Sequence, residues 1–174
     1  MLRWFKPDLR LACVEQLDIG LLRHLEIDAL LLDVDCTLTQ YGSETVPEAI
    51  VAWVDSLRGE GVGLCLVSNG RGPRIETVAG RLGVPFVAPA LKPLPRGCRA
   101  ALVQTGFDRR RTAMVGDQVF ADVMAGRLAG LFTVLVDPIH PELEPWYTRL
   151  KRPLEKLLVR RVAHGQSPCL DPSA

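Results

Sequence analysis

Short apolar runs alternate with amphipathic stretches along most of the chain, and this alternation restricts the fold more than any other feature. Ala29-Leu30-Leu31-Leu32, Gly63 to Val67, Val84 to Val87, Thr112 to Val115 and Leu131 to Val136 each read as a strand. The first shows no polar alternation, as expected of a strand covered on both faces. Between the strands, Ile50, Val54 and Leu57 share one helical face in a segment starting near Val46, where Thr45 and Glu48 have capping-box spacing. Ile75, Val78, Ala79 and Leu82 form a second stripe, opened by Pro73 and closed by Gly83. Cys98, Ala101, Leu102 and Thr105 mark a third helix stopped by Gly106, and a fourth starts near Val119. Residues from about Asp8 to His24 are expected to form a helix packed on the sheet, and Trp146 to Arg161 a basic terminal helix. The pattern predicts an α/β three-layer sandwich around a mainly parallel sheet of about five strands.

At 174 residues, one domain over 1–164 is the simplest organisation, with a tail at 165–174 expected to be disordered because it is proline-containing and poor in apolar residues. A formal net charge of +1 argues against general nucleic-acid binding, which calls for a basic excess. No apolar run approaches the roughly 20 residues that span a bilayer, and the start lacks the pattern of a signal peptide, so a cytoplasmic location is expected. The five cysteines (Cys13, Cys36, Cys65, Cys98 and Cys169) include no Cys-x-x-Cys pair, which fits reduced thiols better than a disulfide framework or a zinc site. His24, His140 and His164 lack metal-ligand spacing.

The chemistry is concentrated where strands end. Asp33-Val34-Asp35-Cys36-Thr37 closes the first, Ser68-Asn69 the second, and Gly116-Asp117 the fourth, with Lys92-Pro93 and Asp122 between and beyond them. In open parallel sheets ligands bind outside the carboxyl ends of the strands, so these residues should converge on one crevice. In extended chain, Asp33, Asp35 and Thr37 can face it together. Three carboxylates gathered there repel one another, and an all-oxygen site that relieves the repulsion favours Mg²⁺. Each residue alone has a plainer reading. Asp33 and Asp35 suit a strand-end turn, Ser68-Asn69-Gly70 an ordinary turn, and Asp117 the N-cap of the next helix. Their fixed order favours the catalytic reading.

That order resembles the four motifs of the haloacid dehalogenase (HAD) superfamily phosphatases, and over about residues 4–158 the chain is similar to the YqeG-type group of subfamily IIIA. Trp4-Phe5-Lys6-Pro7 and Gly116-Asp117-Gln118-Val119-Phe120-Ala121-Asp122 carry the closer likeness, which extends to phosphatidylglycerophosphate phosphatases. The resemblance implies a HAD-like Rossmannoid fold and hydrolysis of a phosphomonoester through an aspartyl-phosphate. It implies Asp33 as nucleophile, Asp35 as acid and base, and Thr37, Ser68, Asn69 and Lys92 around the phosphate. Mg²⁺ would be held by Asp33, Asp117 and the backbone carbonyl of Asp35, with Asp122 in support. Cys36 departs from the asparagine common among relatives and is expected to point away from Asp33 and Asp35 and tune the loop.

Only 30 residues separate Thr37 from Ser68 and 22 separate Asn69 from Lys92, enough for a helix and a strand each but not for a cap domain. An open crevice suits a phosphate on a large object such as a membrane lipid, with phosphatidylglycerophosphate preferred and Arg71 and Arg74 placed for a second anionic group. A soluble sugar phosphate, nucleotide or phosphoprotein is the alternative, and a non-catalytic receiver-like module a third reading. Leu2, Trp4 and Phe5 beside Arg3, Lys6 and Arg10, with the basic residues 149–161, offer peripheral contact at the inner membrane face. The plainer expectation for them is packing and a solvated helix.

Overall fold

The computed structural model describes residues 2–143 and 153–155. The tail at 165–174, and all of the expected terminal helix except 153–155, lie outside the described residues. Six strands form one parallel sheet in the order β1-β6-β5-β2-β3-β4. They are β1 (Leu9–Leu11), β2 (Ala29–Leu32), β3 (Gly63–Val67), β4 (Phe86–Val87), β5 (Thr112–Gly116) and β6 (Phe132–Val136). The helices are α1 (Ile19–His24), α2 (Glu48–Gly59), α3 (Gly72–Leu82), α4 (Arg96–Thr105) and α5 (Met124–Ala129).

Alternation along β2 creates the three layers. Leu30 and Leu32 pack in one cluster with Leu22 of α1, Trp53 and Leu57 of α2 and Ile75 and Val78 of α3. Leu31 faces the other way, onto Cys98 and Ala101 of α4 and Ala125 and Ala129 of α5. All four β2 residues are therefore buried, which explains the unbroken leucine run. The chain leaves β2 for β3 and β4 on one side, then returns through β5 and β6 on the other. The switch point thus falls between β2 and β5, where Asp33 and Asp117 emerge side by side.

Four local expectations differ from the structure. Residues 8–24 are not one helix: Leu9–Leu11 adds a sixth strand beside β6, Val14–Gln16 is a 3-10 turn, and only Ile19–His24 is α-helical. Asp8 anchors that edge strand, its carboxylate accepting from the Thr133 amide and hydroxyl at 2.9 Å each. The Thr45/Glu48 capping box does not form, because α2 starts at Glu48 with Pro47 at the N-cap. The expected strand at 84–87 shrinks to two residues, because the Val84 amide donates to Ala79 and helps close α3. Cys13, expected to be a free thiol, is disulfide-bonded, whereas Cys36, Cys65 and Cys98 are free and buried.

Candidate active site

Backbone pairing carries Asp33 into the crevice. Its amide donates to the Val115 carbonyl at 2.9 Å, extending the β2–β5 ladder by one step. Beyond it the chain turns sharply: Thr37, Leu38 and Thr39 all donate to the Val34 carbonyl, and Cys36 adopts a left-handed φ of 63°. That conformation favours asparagine among non-glycine residues and is uncommon for cysteine. Cys36 is 1% exposed, and its carbonyl accepts from Ile139, which ties the turn to the segment after β6.

Four ionisable groups meet in the buried floor. Asp33, Asp117 and Asp122 are nearly inaccessible, and one oxygen of each lies within 4.8 Å of the others. Lys92 Nζ donates to Asp33 Oδ1 at 2.5 Å and to Asp122 Oδ1 at 2.6 Å. Asp122 Oδ2 accepts from the Gln118 amide at 3.0 Å, so both its oxygens are engaged. The Thr37 hydroxyl lies 3.5 Å from Asp33 Oδ2 and 3.3 Å from Asp117 Oδ1, which places those two oxygens around a common point. Asp33 and Asp117 are thus the carboxylates that could hold a cation directly, while Asp122 holds Lys92.

The charge balance supports a cation. Two full carboxylate charges at this separation repel by roughly 3–4 kcal/mol at an effective dielectric of about 20. With all three carboxylates ionised against one buried ammonium, an excess of two negative charges is left, which a divalent ion would neutralise. Burial, with Asp122 adding to it, pushes the Asp33 carboxyl up to about 7 against the pull of Lys92. Lys92 stays above its ordinary value: burial opposes its charge, but Asp122 and Asp33 more than offset that.

Each support has a local cause. Gly116 is required because a Cβ there would overlap Asp122 Cγ. Asp122 sits in a π-helical turn, Val119–Val123, ahead of α5, and its position in this wider turn brings it back over the end of β5. Asp117 is not the N-cap of that element; Gln118 is. The Asn69 side chain makes a reciprocal pair with the Lys92 backbone, at 2.9 Å to its carbonyl and 2.8 Å from its amide. Asn69 therefore fixes the Lys92 backbone while itself lining the crevice. Ser68 Oγ accepts from the Gly70 amide at 3.0 Å and keeps its own proton to donate.

The crevice above this floor has a volume of about 570 Å³, and Asp33, Asp35, Ser68, Lys92, Arg71 and Arg74 are among its lining residues. The two arginines behave differently. Arg71 is exposed at the N-cap of α3, whereas Arg74 donates to Asp35 Oδ2 at 2.5 Å and to the Ser43 carbonyl at 2.9 Å. Sequence reasoning missed that pairing, and missed Glu155, a buried carboxylate that accepts from the Phe120 amide at 3.1 Å. No motif marks Glu155; only folding brings 155 to 120. Phe5 packs edge-on against Phe120, with ring centroids 5.3 Å apart, while Trp4 is half exposed. No described helix is long and apolar enough to cross a membrane.

Comparison with known proteins agrees with this geometry. Residues 13–130 match the family described as haloacid dehalogenase-like hydrolase. The chain is 24% identical to "Probable phosphatase YqeG" of Bacillus subtilis, over 94% of this chain and 96% of that one. It is 27% identical to "Phosphatidylglycerophosphate phosphatase 1, chloroplastic" of Chlamydomonas reinhardtii, covering 89% of this chain and 61% of that relative. In fold it resembles the 3-deoxy-D-manno-octulosonate 8-phosphate phosphatase of Moraxella catarrhalis, solved with magnesium, phosphate and KDO. The TM-score is 0.54 at 15% identity, over 82% of this chain and 94% of that one. The Vibrio cholerae protein described as a putative 3-deoxy-D-manno-octulosonate 8-phosphate phosphatase gives 0.53 at 17% identity, over 72% and 75%. With its acidic floor at the switch point and this match over most of its length, the chain belongs to the haloacid dehalogenase-like hydrolase family and is a phosphomonoester hydrolase.

Proposed function

We propose that this protein is a Mg²⁺-dependent phosphatase that uses Asp33 as nucleophile and acts on a phospholipid headgroup, with phosphatidylglycerophosphate the preferred substrate. The observation that carries the reading is the pairing of Asp33 with Lys92 on one oxygen and with the Thr37–Asp117 corner on the other. Asp33 and Asp117, with the Asp35 backbone carbonyl, are the residues that would hold Mg²⁺. When bound, the ion supplies charge neutralisation and orients a phosphoryl oxygen.

Asp33 attacks phosphorus and becomes the phosphorylated residue, while Asp35 gives its proton to the departing alcohol oxygen. Asp35 then takes a proton from the water that releases phosphate from Asp33. Lys92, held by Asp122, stays against Asp33 and the transferring group throughout. Ser68 donates its hydroxyl proton to a phosphoryl oxygen, and Thr37 holds the Asp33–Asp117 corner together.

The lipid assignment draws on the Chlamydomonas relative and on the shape of the site. About 570 Å³ accommodates a headgroup and leaves acyl chains outside. Between β2 and β4, α2 and α3 are the only described helices. Arg71, exposed on the wall, is available to a second anionic group. The test is phosphate release from phosphatidylglycerophosphate in mixed micelles, from glycerol 3-phosphate and from an aryl phosphate, each with and without Mg²⁺. We expect kcat/KM on the lipid to exceed that on glycerol 3-phosphate by at least 100-fold. Equal or better efficiency on the small phosphate removes the lipid assignment and leaves a soluble substrate.

A further inference from the structure

Arg74 lies on α3, yet its guanidinium crosses the crevice wall to the loop that follows β2. Nη2 donates to Asp35 Oδ2 at 2.5 Å and Nη1 to the Ser43 carbonyl at 2.9 Å. The Gly42 amide holds the other Asp35 oxygen at 2.8 Å. Both side chains of the ion pair are largely shielded, at 16% and 17% exposure, unlike the surface pairs elsewhere on the molecule. The path is kept clear by Gly70, where a Cβ would stand 2.5 Å from Arg74 Nη2. Asp35, Ser43 and Gly70 are therefore arranged around this arginine, and each of its terminal nitrogens already makes one hydrogen bond.

We infer that Arg74 is a positioning residue for Asp35, which it holds together with the 35–43 loop in the orientation that proton transfer requires; this rests on the acid–base role of Asp35 proposed above. A planar guanidinium suits the task, since one fork reaches a carboxylate and a carbonyl at fixed spacing. A carboxylate offers about four lone-pair sites, so one donor on each oxygen leaves room for the transferred proton. Without Arg74, the Asp35 side chain loses the donor on Oδ2 while Oδ1 keeps the Gly42 amide, and the loop loses the Arg74 tie from Ser43 to α3. Asp33 and Lys92, anchored to β2, Asn69 and Asp122, keep their places. The loss therefore falls on departure of the alcohol and not on binding of the phosphate.

The experiment is a leaving-group series under Mg²⁺: aryl phosphates of rising phenol pKa, then an alkyl phosphate, on the parent, Asp35→Asn, Arg74→Ala and Arg74→Lys. A good leaving group departs without a proton, whereas an alkoxide needs one, and general-acid help is worth about 10²–10⁴-fold. Arg74→Ala should lose at least 30-fold more activity on the alkyl phosphate than on the best aryl phosphate, with the loss falling in kcat and KM staying within about threefold of the parent's. Arg74→Lys, which keeps one of the two contacts, should recover part of that loss. An equal loss across the series overturns the inference, as does a loss confined to KM on substrates bearing a second anion. Asp35→Asn separates the two claims. If it steepens the series and Arg74→Ala does not, only the role of Arg74 falls; if neither does, the acid–base role of Asp35 falls as well.

Discussion

At the scale of single residues, the site is a problem of like charges held in a dry place. Asp33 is raised to about 7, from an ordinary 3.8, chiefly by burial. A carboxyl raised on folding stabilises the protein below its unfolded pKa, and that contribution is lost as pH rises through the folded one. Metal-free protein should therefore lose stability between about pH 4 and 7, and Mg²⁺ should restore it progressively over the same window, because the ion competes with the proton. Thermal melting against pH, with chelator and with Mg²⁺, checks this. Asp33→Asn supplies the control: it removes the titrating group, so its metal-free melting temperature should change less with pH than the parent's. Cys36→Asn should fold as well as the parent and keep its turnover within about threefold, since asparagine accepts the φ of 63° more readily than cysteine. Cys36→Val, β-branched at the same φ, should cost stability measurable by denaturant titration.

At the scale of elements, the turns after the strands aim the chemistry, and here the sequence was partly legible. The strand-end positions of Asp33, Ser68 and Asp117 followed from apolar runs, because a strand buried on both faces leaves an unbroken signal such as Leu30-Leu31-Leu32. Edge strand β1 left no such signal. Three residues pairing on one side read equally well as part of a helix, and only the folded ladder with β6, anchored by the Asp8–Thr133 contacts, reveals the strand. Lys92 was identifiable only by its place in the motif order, and its support by Asn69 and Asp122 is long-range geometry that no local pattern encodes. Arg74 was recognised as close to the site but not as a partner of Asp35, since spacing along a helix does not show where a flexible side chain ends. Gly116 tests the element directly. Gly116→Ala drives a methyl group into Asp122 Cγ, so Asp122 must move and release Lys92. Turnover should fall by at least tenfold, with a lower melting temperature; wild-type kinetics would show that Asp122 need not stand over β5.

At the scale of the whole molecule, the sheet order brings distant segments to one crevice. The site residues span Asp33 to Asp122, and the contacts of Phe5 and Glu155 with Phe120 draw segments from early and late in the chain against the same wall. That arrangement gives both segments a role in shaping the rim that composition alone did not show. Replacing Glu155 with Gln keeps one acceptor for the Phe120 amide and should be mild, whereas Glu155→Leu should loosen the π-helical turn and raise the Mg²⁺ concentration needed for half-maximal activity. A Mg²⁺ titration of both variants checks it.

The central claim is that Asp33 attacks phosphorus at a site completed by a divalent cation. Its most direct test is phosphate release from an aryl phosphate by exhaustively chelated parent protein and by Asp33→Asn, each titrated with Mg²⁺. We predict no turnover by the chelated parent, recovery on adding Mg²⁺, and none by the folded Asp33→Asn variant at any Mg²⁺ concentration. Turnover near the parent level by that variant, or full activity of the chelated parent, would contradict the claim.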